Sequence, residues 1–263
     1  MEAVPVGDRW QYEPKWDGFR GVLENDGGEL ALWSRNGRPL LRYFPELRPL
    51  GELLPAHSAL DGEIVIQHEG RLEFDLMQMR LHPAESRIRK LSAELPARFV
   101  AFDVLVWRGT AVWGSSFALR RETLERDAAA FELSPSTADP AAALAWLDEL
   151  EALGLDGVVA KRADRPVEPG GRGAVIKVKP ERTADCVVVG VRWKEKPTRI
   201  ATLLLGLYRD DGEVDYVGSA AVAAVRQEAV LELVLPLLDD APDRRFSEPN
   251  RWGGGELEEQ PLR

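Results

Sequence analysis

The segment Glu13-Pro14-Lys15-Trp16-Asp17-Gly18-Phe19-Arg20 places a lysine, an acid, a glycine and an arginine at short range. A lysine amine is nucleophilic only when neutral, so a reactive Lys15 would need cationic neighbours or desolvation to shed its proton. Asp17-Gly18 is a turn-forming pair, and a sharp turn there would bring Arg20 beside Lys15. The planar fork of Arg20 could also hold an anionic or hydroxylated ligand. Read alone, the same residues describe a surface lysine followed by an Asp-Gly hairpin turn.

Further polar residues interrupt apolar stretches. Asp61-Gly62-Glu63-Ile64-Val65 sets two acids in or beside a strand, and Asp156-Gly157-Val158-Val159-Ala160-Lys161 does the same with an acid and a lysine. Ile176-Lys177-Val178-Lys179 alternates, so a period of two puts both lysines on one face. Singly these read as turns, a solvated face and, for Phe102, a core aromatic. Together they supply what nucleotidyl transfer needs. Cations neutralise a triphosphate, carboxylates hold a divalent metal, and an aromatic ring stacks on a base.

The chain has 263 residues, 44% hydrophobic and 30% charged, which suits one large or two modest globular domains. No apolar run approaches the ~18 residues of a membrane helix, and no signal peptide precedes Lys15. Cys186 is the single cysteine, so an intramolecular disulfide is excluded and a reducing cytoplasm fits. His57, His68 and His82 are scattered, leaving carboxylates as the candidate metal ligands, which suits Mg²⁺ or Mn²⁺. The net charge of −10 is unevenly spread: residues 161–199 carry +6 and residues 209–263 carry −7. Phosphate contacts depend on a local basic face, so the total does not exclude a nucleic-acid partner.

These residues must be positioned by mixed α and β elements. Strands are expected over Phe19–Leu23 and Leu30–Ser34, joined by a turn at Glu24–Gly28, and over Ala59–Gln67 and Arg98–Trp107. Helical spacing marks Pro45–Leu54, Phe74–Leu81, Ala84–Leu91 and Ala118–Leu133, the last with Leu119, Leu124 and Phe131 as its apolar marks. Asp139-Pro140 starts another helix that Gly154 closes. Leu155–Lys161 and Ala174–Lys179 read as strands. After Pro180 the pattern becomes a β-meander over Val187–Trp193, Thr202–Tyr208 and Val214–Gly218, followed by one helix, Ala221–Leu238. The domain boundary is expected near Lys179-Pro180, giving domains 1–180 and 181–263.

In this order and spacing the motifs resemble the covalent nucleotidyltransferase superfamily, and within it the ATP-dependent DNA ligases. Lys15 to Arg20 looks like the first motif, Ser34-Arg35-Asn36-Gly37 the next, and Asp61-Gly62-Glu63 the third. Phe102-Asp103, Asp156 to Lys161 and Ile176 to Lys179 match the remaining ones. Phe74 to Pro83, Phe99 to Leu105 and Leu203 to Gly212 suggest small bacterial ligases related to the ligase module of end-joining ligases.

The resemblance implies an α+β adenylation domain of antiparallel sheets with flanking helices, followed by a β-barrel of the oligonucleotide/oligosaccharide-binding (OB) type. It implies a monomeric ligase that uses ATP and Mg²⁺ or Mn²⁺ to seal nicked double-stranded DNA in repair. Lys15 would carry AMP, Glu13 and Phe102 would read and stack the adenine, and Arg20 and Glu63 would contact the sugar. Arg35, Lys177 and Lys179 would hold phosphates, and Glu63 and Asp156 would serve the metal.

Three features depart from the family pattern. Asp156 stands where glutamate is usual, and Ala174-Val175 where a tryptophan is usual. The last basic motif is not found: Arg244-Arg245-Phe246 lies too early, Glu256 to Glu259 is acidic, and Pro261-Leu262-Arg263 looks like the approach to a further OB strand. A C-terminally truncated OB domain is therefore expected, with weak self-adenylylation and measurable joining of pre-adenylated nicks. The alternatives are an RNA ligase, a GTP-using capping enzyme, and a catalytically incomplete adenylate- or nick-binding module. A NAD-dependent ligase would need a further domain ahead of Lys15.

Overall fold

The computed structural model describes residues 3–168, 173–180, 183–239 and 258–262. The chain divides into two compact units, Met1–Glu181 and Arg182–Arg263.

The first unit holds two antiparallel sheets. The smaller has β1 (Trp10–Pro14) at one edge, paired with β9 (Val158–Arg162), which pairs in turn with β10 (Val175–Val178). One face of it, with Tyr12, Ala160 and Ile176, packs on α5 (Pro140–Glu149). That helix starts where expected, the Asp139 carboxylate accepting from the Ala141 N–H and Pro140 standing at the first turn. The larger sheet runs β3 (Glu29–Ser34), β2 (Phe19–Asp26), β4 (Ser58–His68), β6 (Ala97–Trp107), β7 (Thr110–Ala111). Two short strands flank this path, β5 (Arg71–Leu72) on β4 and β8 (Glu132–Leu133) running parallel to β6.

Alternation along β4 sends Leu60, Ile64 and Ile66 into the main core. There they meet Phe44, Leu47, Leu54, Met77, Leu124 and Phe131, contributed by the short helix α1 (Leu50–Leu53) with its flanking turns, α2 (Phe74–Arg80) and α4 (Phe117–Asp127) with the turn that follows it. α3 (Glu85–Glu94) buries Ile88 and Leu91. Burying a Leu or Ile side chain is worth about 1.5–3 kcal/mol, so this cluster supplies much of what anchors the sheet. The opposite face of β4 carries Asp61, Glu63 and Val65.

Several expectations are corrected. The Asp17-Gly18 pair is not a hairpin turn: Lys15–Gly18 is the connection that carries the chain from the small sheet to the large one. β1 was not expected at all. The stretch Pro45–Leu54 is a 3-10 turn and a four-residue helix rather than one helix. α4 stops at Asp127 instead of reaching Leu133, because Phe131 must enter the core and Glu132–Leu133 pairs with β6. Within α4, Leu119 is half exposed whereas Arg120 and Arg121 are buried, the reverse of an apolar-face reading.

The second unit is a four-stranded antiparallel sheet in the order β13, β12, β11, β14, made from β11 (Val187–Glu195), β12 (Arg199–Tyr208), β13 (Val214–Ala221) and β14 (Glu259–Pro261). Its core joins Val191, Trp193 and Ile200 to Val234 of α6 (Gln227–Val234). The expected single helix Ala221–Leu238 is instead the end of β13, a 3-10 turn, α6 and a second 3-10 turn containing Pro236. Proline lacks the N–H that would continue the α-helical ladder. Pro261 lies within a strand already, where a strand approach was expected. Acids before it pair with β11 and the turn after it, Glu259 with Arg192 at 2.8 Å and Glu258 with Lys196 at 2.6 Å. The Arg244-Arg245-Phe246 segment lies outside the described residues.

Candidate active site

A cavity of about 1430 Å³ lies between the two sheets of the first unit. Typical small-ligand sites occupy about 300–1,000 Å³, so there is room for a nucleotide and part of a second substrate.

One wall is the small sheet. Glu13 of β1 and Lys177 of β10 both stand opposite Val159 of β9, so the three share a face across the strands, and all three line the cavity. Val158 and Ala160, on the other side of β9, are fully buried. The other wall is the large sheet, where Arg20 of β2 stands opposite Glu63 of β4. Along β4 and β6, Asp61 faces Asp103 while the next residue, Gly62, faces Ala101, so Phe102 is the extra residue of a β-bulge. A bulge re-aims side chains, and here Phe102 and Asp103 both line the cavity although they are neighbours in sequence.

Lys15 sits at the junction of the two sheets. Its N–H donates to Gly157 O at 2.7 Å and its own carbonyl accepts from the Asp156 N–H at 3.0 Å. Two glycines make this approach possible. A Cβ on Gly157 would lie 2.2 Å from Val178 O, and Gly157 holds φ +129; a Cβ on Gly18 would lie 2.1 Å from Ile64 O. Trp16, next to Lys15, is anchored by its indole N–H on the Ser134 hydroxyl at 2.9 Å.

The Lys15 ammonium forms a short salt bridge with Asp156, whose same oxygen takes Lys179 Nζ at 2.5 Å. Burial pushes the Asp156 carboxyl up, but hydrogen bonds from Lys15 and Lys179 outweigh it and hold the group below the ordinary range. Arg20 does not turn to Lys15. Its fork grips both Asp61 oxygens, at 3.0 and 2.5 Å. Burial, with the Asp61 charge adding to it, pushes Glu63 up to about 7 against the pull of Lys15 and Arg20. Lys177 is pushed down by burial and by Lys15, Arg20 and Arg35 around it. Cations held this close to one another define a place for an anion.

At the deep end Glu13 is buried, with Lys161 Nζ at 2.8 Å and Arg121 Nη1 at 3.4 Å. Burial raises its pKa against the pull of Lys161 and Arg121. Lys161 Nζ also lies 4.6 Å from the centres of the Phe102 and Phe117 rings. Phe102 is therefore a half-buried ring that lines the cavity, with Lys161 over the ring and the Arg20 guanidinium 5.9 Å from its centre.

Of the nine residues singled out from sequence, Glu13, Lys15, Arg20, Arg35, Glu63, Phe102 and Lys177 line the cavity, and Asp156 and Lys179 adjoin it behind Lys15. Sequence reasoning missed Asp61 as the partner of Arg20, Lys161 and Arg121 as the partners of Glu13, and Arg120, which grips Asp103 with two hydrogen bonds of 2.8 and 2.9 Å. Period two over Val158–Arg162 could have flagged Lys161, since it shares the face of Val159. Nothing in the α4 sequence marks Arg120 or Arg121, because buried arginines break the amphipathic pattern.

No group of three or more His, Cys, Asp or Glu side chains is gathered for a metal among the described residues. Of the two carboxylates expected to serve a metal, Glu63 lines the cavity and Asp156 is already engaged by two lysines. That suits a hard cation that keeps its waters and binds phosphate, not a fully protein-ligated ion.

This geometry sits on the fold of the ligases: mixed sheets and helices in the first unit, and an OB-like half-barrel sheet in the second. Residues 4–179 match the family described as ATP dependent DNA ligase domain, and the chain belongs to that family and is an ATP-dependent DNA ligase. Among relatives, DNA ligase C2 of Mycolicibacterium smegmatis is 43% identical over 288 residues, covering 100% of this chain and 80% of that one. The multifunctional non-homologous end joining DNA repair protein LigD of Mycobacterium tuberculosis is 32% identical over 242 residues, 89% of this chain and 30% of its own length. Among solved structures, a mycobacterial DNA ligase D complexed with ATP and MES matches with a TM-score of 0.56 and 29% identity, over 97% of this chain and 80% of that chain.

Proposed function

We propose that the chain seals nicks in double-stranded DNA through a lysyl-AMP on Lys15, in a repair pathway of the end-joining kind. The observation that carries this is the placement of Lys15. It lies where the two sheets meet, in a cavity lined by the cations Arg35 and Lys177 and by the aromatic ring of Phe102.

The Lys15 amine, held on Asp156 by the hydrogen bond already present, first gives its proton to solvent. It then attacks the α-phosphorus of ATP, the bond to the β-phosphate breaks, and pyrophosphate leaves. Arg35, Lys177 and Lys179 hold the phosphates, where charge builds on the leaving group. Phe102 stacks on adenine, and Glu13 closes the base end while Arg20 and Glu63 face the sugar. A nick's 5′-phosphate oxygen next attacks the phosphorus of lysyl-AMP and releases the Lys15 amine. The 3′-hydroxyl then attacks the 5′-phosphorus and AMP departs. Glu63 and Asp156 would hold a Mg²⁺, which would add charge neutralisation at the phosphates when bound. The repair role is supported by similarity to proteins named for end joining.

The test is incubation with α-labelled ATP or GTP and Mg²⁺ under denaturing readout, followed by chase with nicked DNA or nicked RNA. ATP labelling chased only by nicked DNA is expected. Labelling by GTP alone, or a chase only by nicked RNA, would overturn the reading.

A further inference from the structure

The base end of the cavity is held by a residue that no motif of the sequence marks. Arg120 of α4 is almost fully buried, with a side chain 4% exposed, and its donors go to three separate segments. Nε and Nη2 take the two Asp103 oxygens at 2.8 and 2.9 Å. Nη1 donates to Ser115 O at 2.6 Å and to Arg165 O at 3.3 Å. Asp103 belongs to the bulge that turns Phe102 toward the cavity. Ser115 precedes the Ser116 N-cap of α4, and Arg165 to Glu168 line the cavity. Backbone bonds tie the same pieces, Phe117 N–H to Arg165 O at 2.8 Å and Ala118 N–H to Ala163 O at 2.9 Å. The Phe117 ring lies 5.4 Å from the Arg120 guanidinium and 4.6 Å from Lys161 Nζ.

We infer that Arg120 is a positioning residue that sets the base end of the nucleotide site, locking the Phe102 bulge to the 163–168 wall. The inference rests on the proposed reading of Phe102 as the base platform. One planar guanidinium satisfies a carboxylate on two donors and two carbonyls on a third. A lysine ammonium is a point charge on a flexible stem and cannot reproduce that fork. Asp103, left half-gripped in a buried place, would let the bulge relax and the ring tilt. Phosphate contacts, made by Arg35 and Lys177 elsewhere in the cavity, do not pass through Arg120.

The experiment measures equilibrium binding of AMP and of inorganic tripolyphosphate to the full chain, and self-adenylylation against ATP concentration. Arg120→Lys is expected to weaken AMP by about tenfold, the scale of one charge-assisted hydrogen bond. It should raise KM for ATP by a similar factor, with the maximal rate within about twofold and tripolyphosphate binding unchanged. Leu124→Ala, a fully buried core residue of the same helix, is the reference for a purely structural loss and should show no such split. Asp103→Asn keeps the shape of the acceptor and should reproduce the selective AMP loss, and it decides the matter if Arg120→Lys does not fold. Parallel loss of AMP and tripolyphosphate, or loss of neither, in whichever of the two variants folds, would overturn the inference. A parent chain that neither binds AMP nor labels with ATP would overturn the proposed function itself, and the inference with it.

Discussion

Glu63 is a cavity residue whose pKa is pushed up to about 7, and its stability linkage has a definite sign. Its pKa rises from 4.5 to about 7 on folding, chiefly through burial. Below about pH 4.5 both states hold the proton and there is no penalty. Between 4.5 and 7 the unfolded chain gives up its proton while the folded chain keeps it, so stability falls as pH rises, and it levels off above 7. Glu63→Gln should therefore match the parent near pH 4 and exceed its stability by about 1–3 kcal/mol at pH 8. Superimposable melting curves for the two across that range would contradict the assignment. A second prediction concerns Phe102, which is only half buried. Phe102→Ala should weaken ATP use by about 1–3 kcal/mol, as base–aromatic stacking does. The loss of fold stability should stay below the ~3–5 kcal/mol of a core phenylalanine. A lowered melting temperature with unchanged ATP affinity would make Phe102 a core residue instead.

At the scale of elements, the Lys15–Gly18 connection does what a hairpin could not, since it links two different sheets and leaves Lys15 between them. Its close approach to β4 depends on Gly18, whose added Cβ would meet Ile64 O at 2.1 Å. Gly18→Ala should destabilise the first unit by about 1–3 kcal/mol and depress labelling more than melting temperature alone accounts for; an unchanged labelling rate would show that the connection can shift freely. The strands that carry charged residues among apolar ones were legible in the sequence, because Asp61, Glu63 and Lys177 break runs whose period is otherwise plain. β1 was not, since Trp10–Pro14 is short and ends in proline. Nor was the bulge at Phe102, which depends on a register between β4 and β6 that local sequence does not contain. α4 shows the same limit: its buried face holds Arg120 and Arg121, whose partners include the distant Asp103 and Glu13.

At the scale of the molecule, a chain of net charge −10 gathers Arg35, Arg38, Arg42, Arg162, Arg165 and Lys177 around one cavity. Binding to nicked DNA should then fall by at least about tenfold between roughly 50 and 200 mM salt, as counterions are released from several neutralised phosphates. Labelling by ATP at saturation should change far less. Salt-independent nick binding would place the DNA on another, non-basic surface. Among the described residues no helix is long and apolar enough to cross a membrane. All nine residues singled out for the chemistry fall within the first unit.

The central claim is that the Lys15 amine is the covalent carrier of AMP. The most direct measurement is single-turnover incubation of the parent chain and Lys15→Ala with α-labelled ATP and Mg²⁺, followed by denaturing electrophoresis and peptide mapping of the label. The account predicts one AMP on the peptide containing Lys15, removed by nicked DNA, with no label on a folded Lys15→Ala chain. Equal labelling of the two chains, or AMP mapped to another lysine, would contradict it.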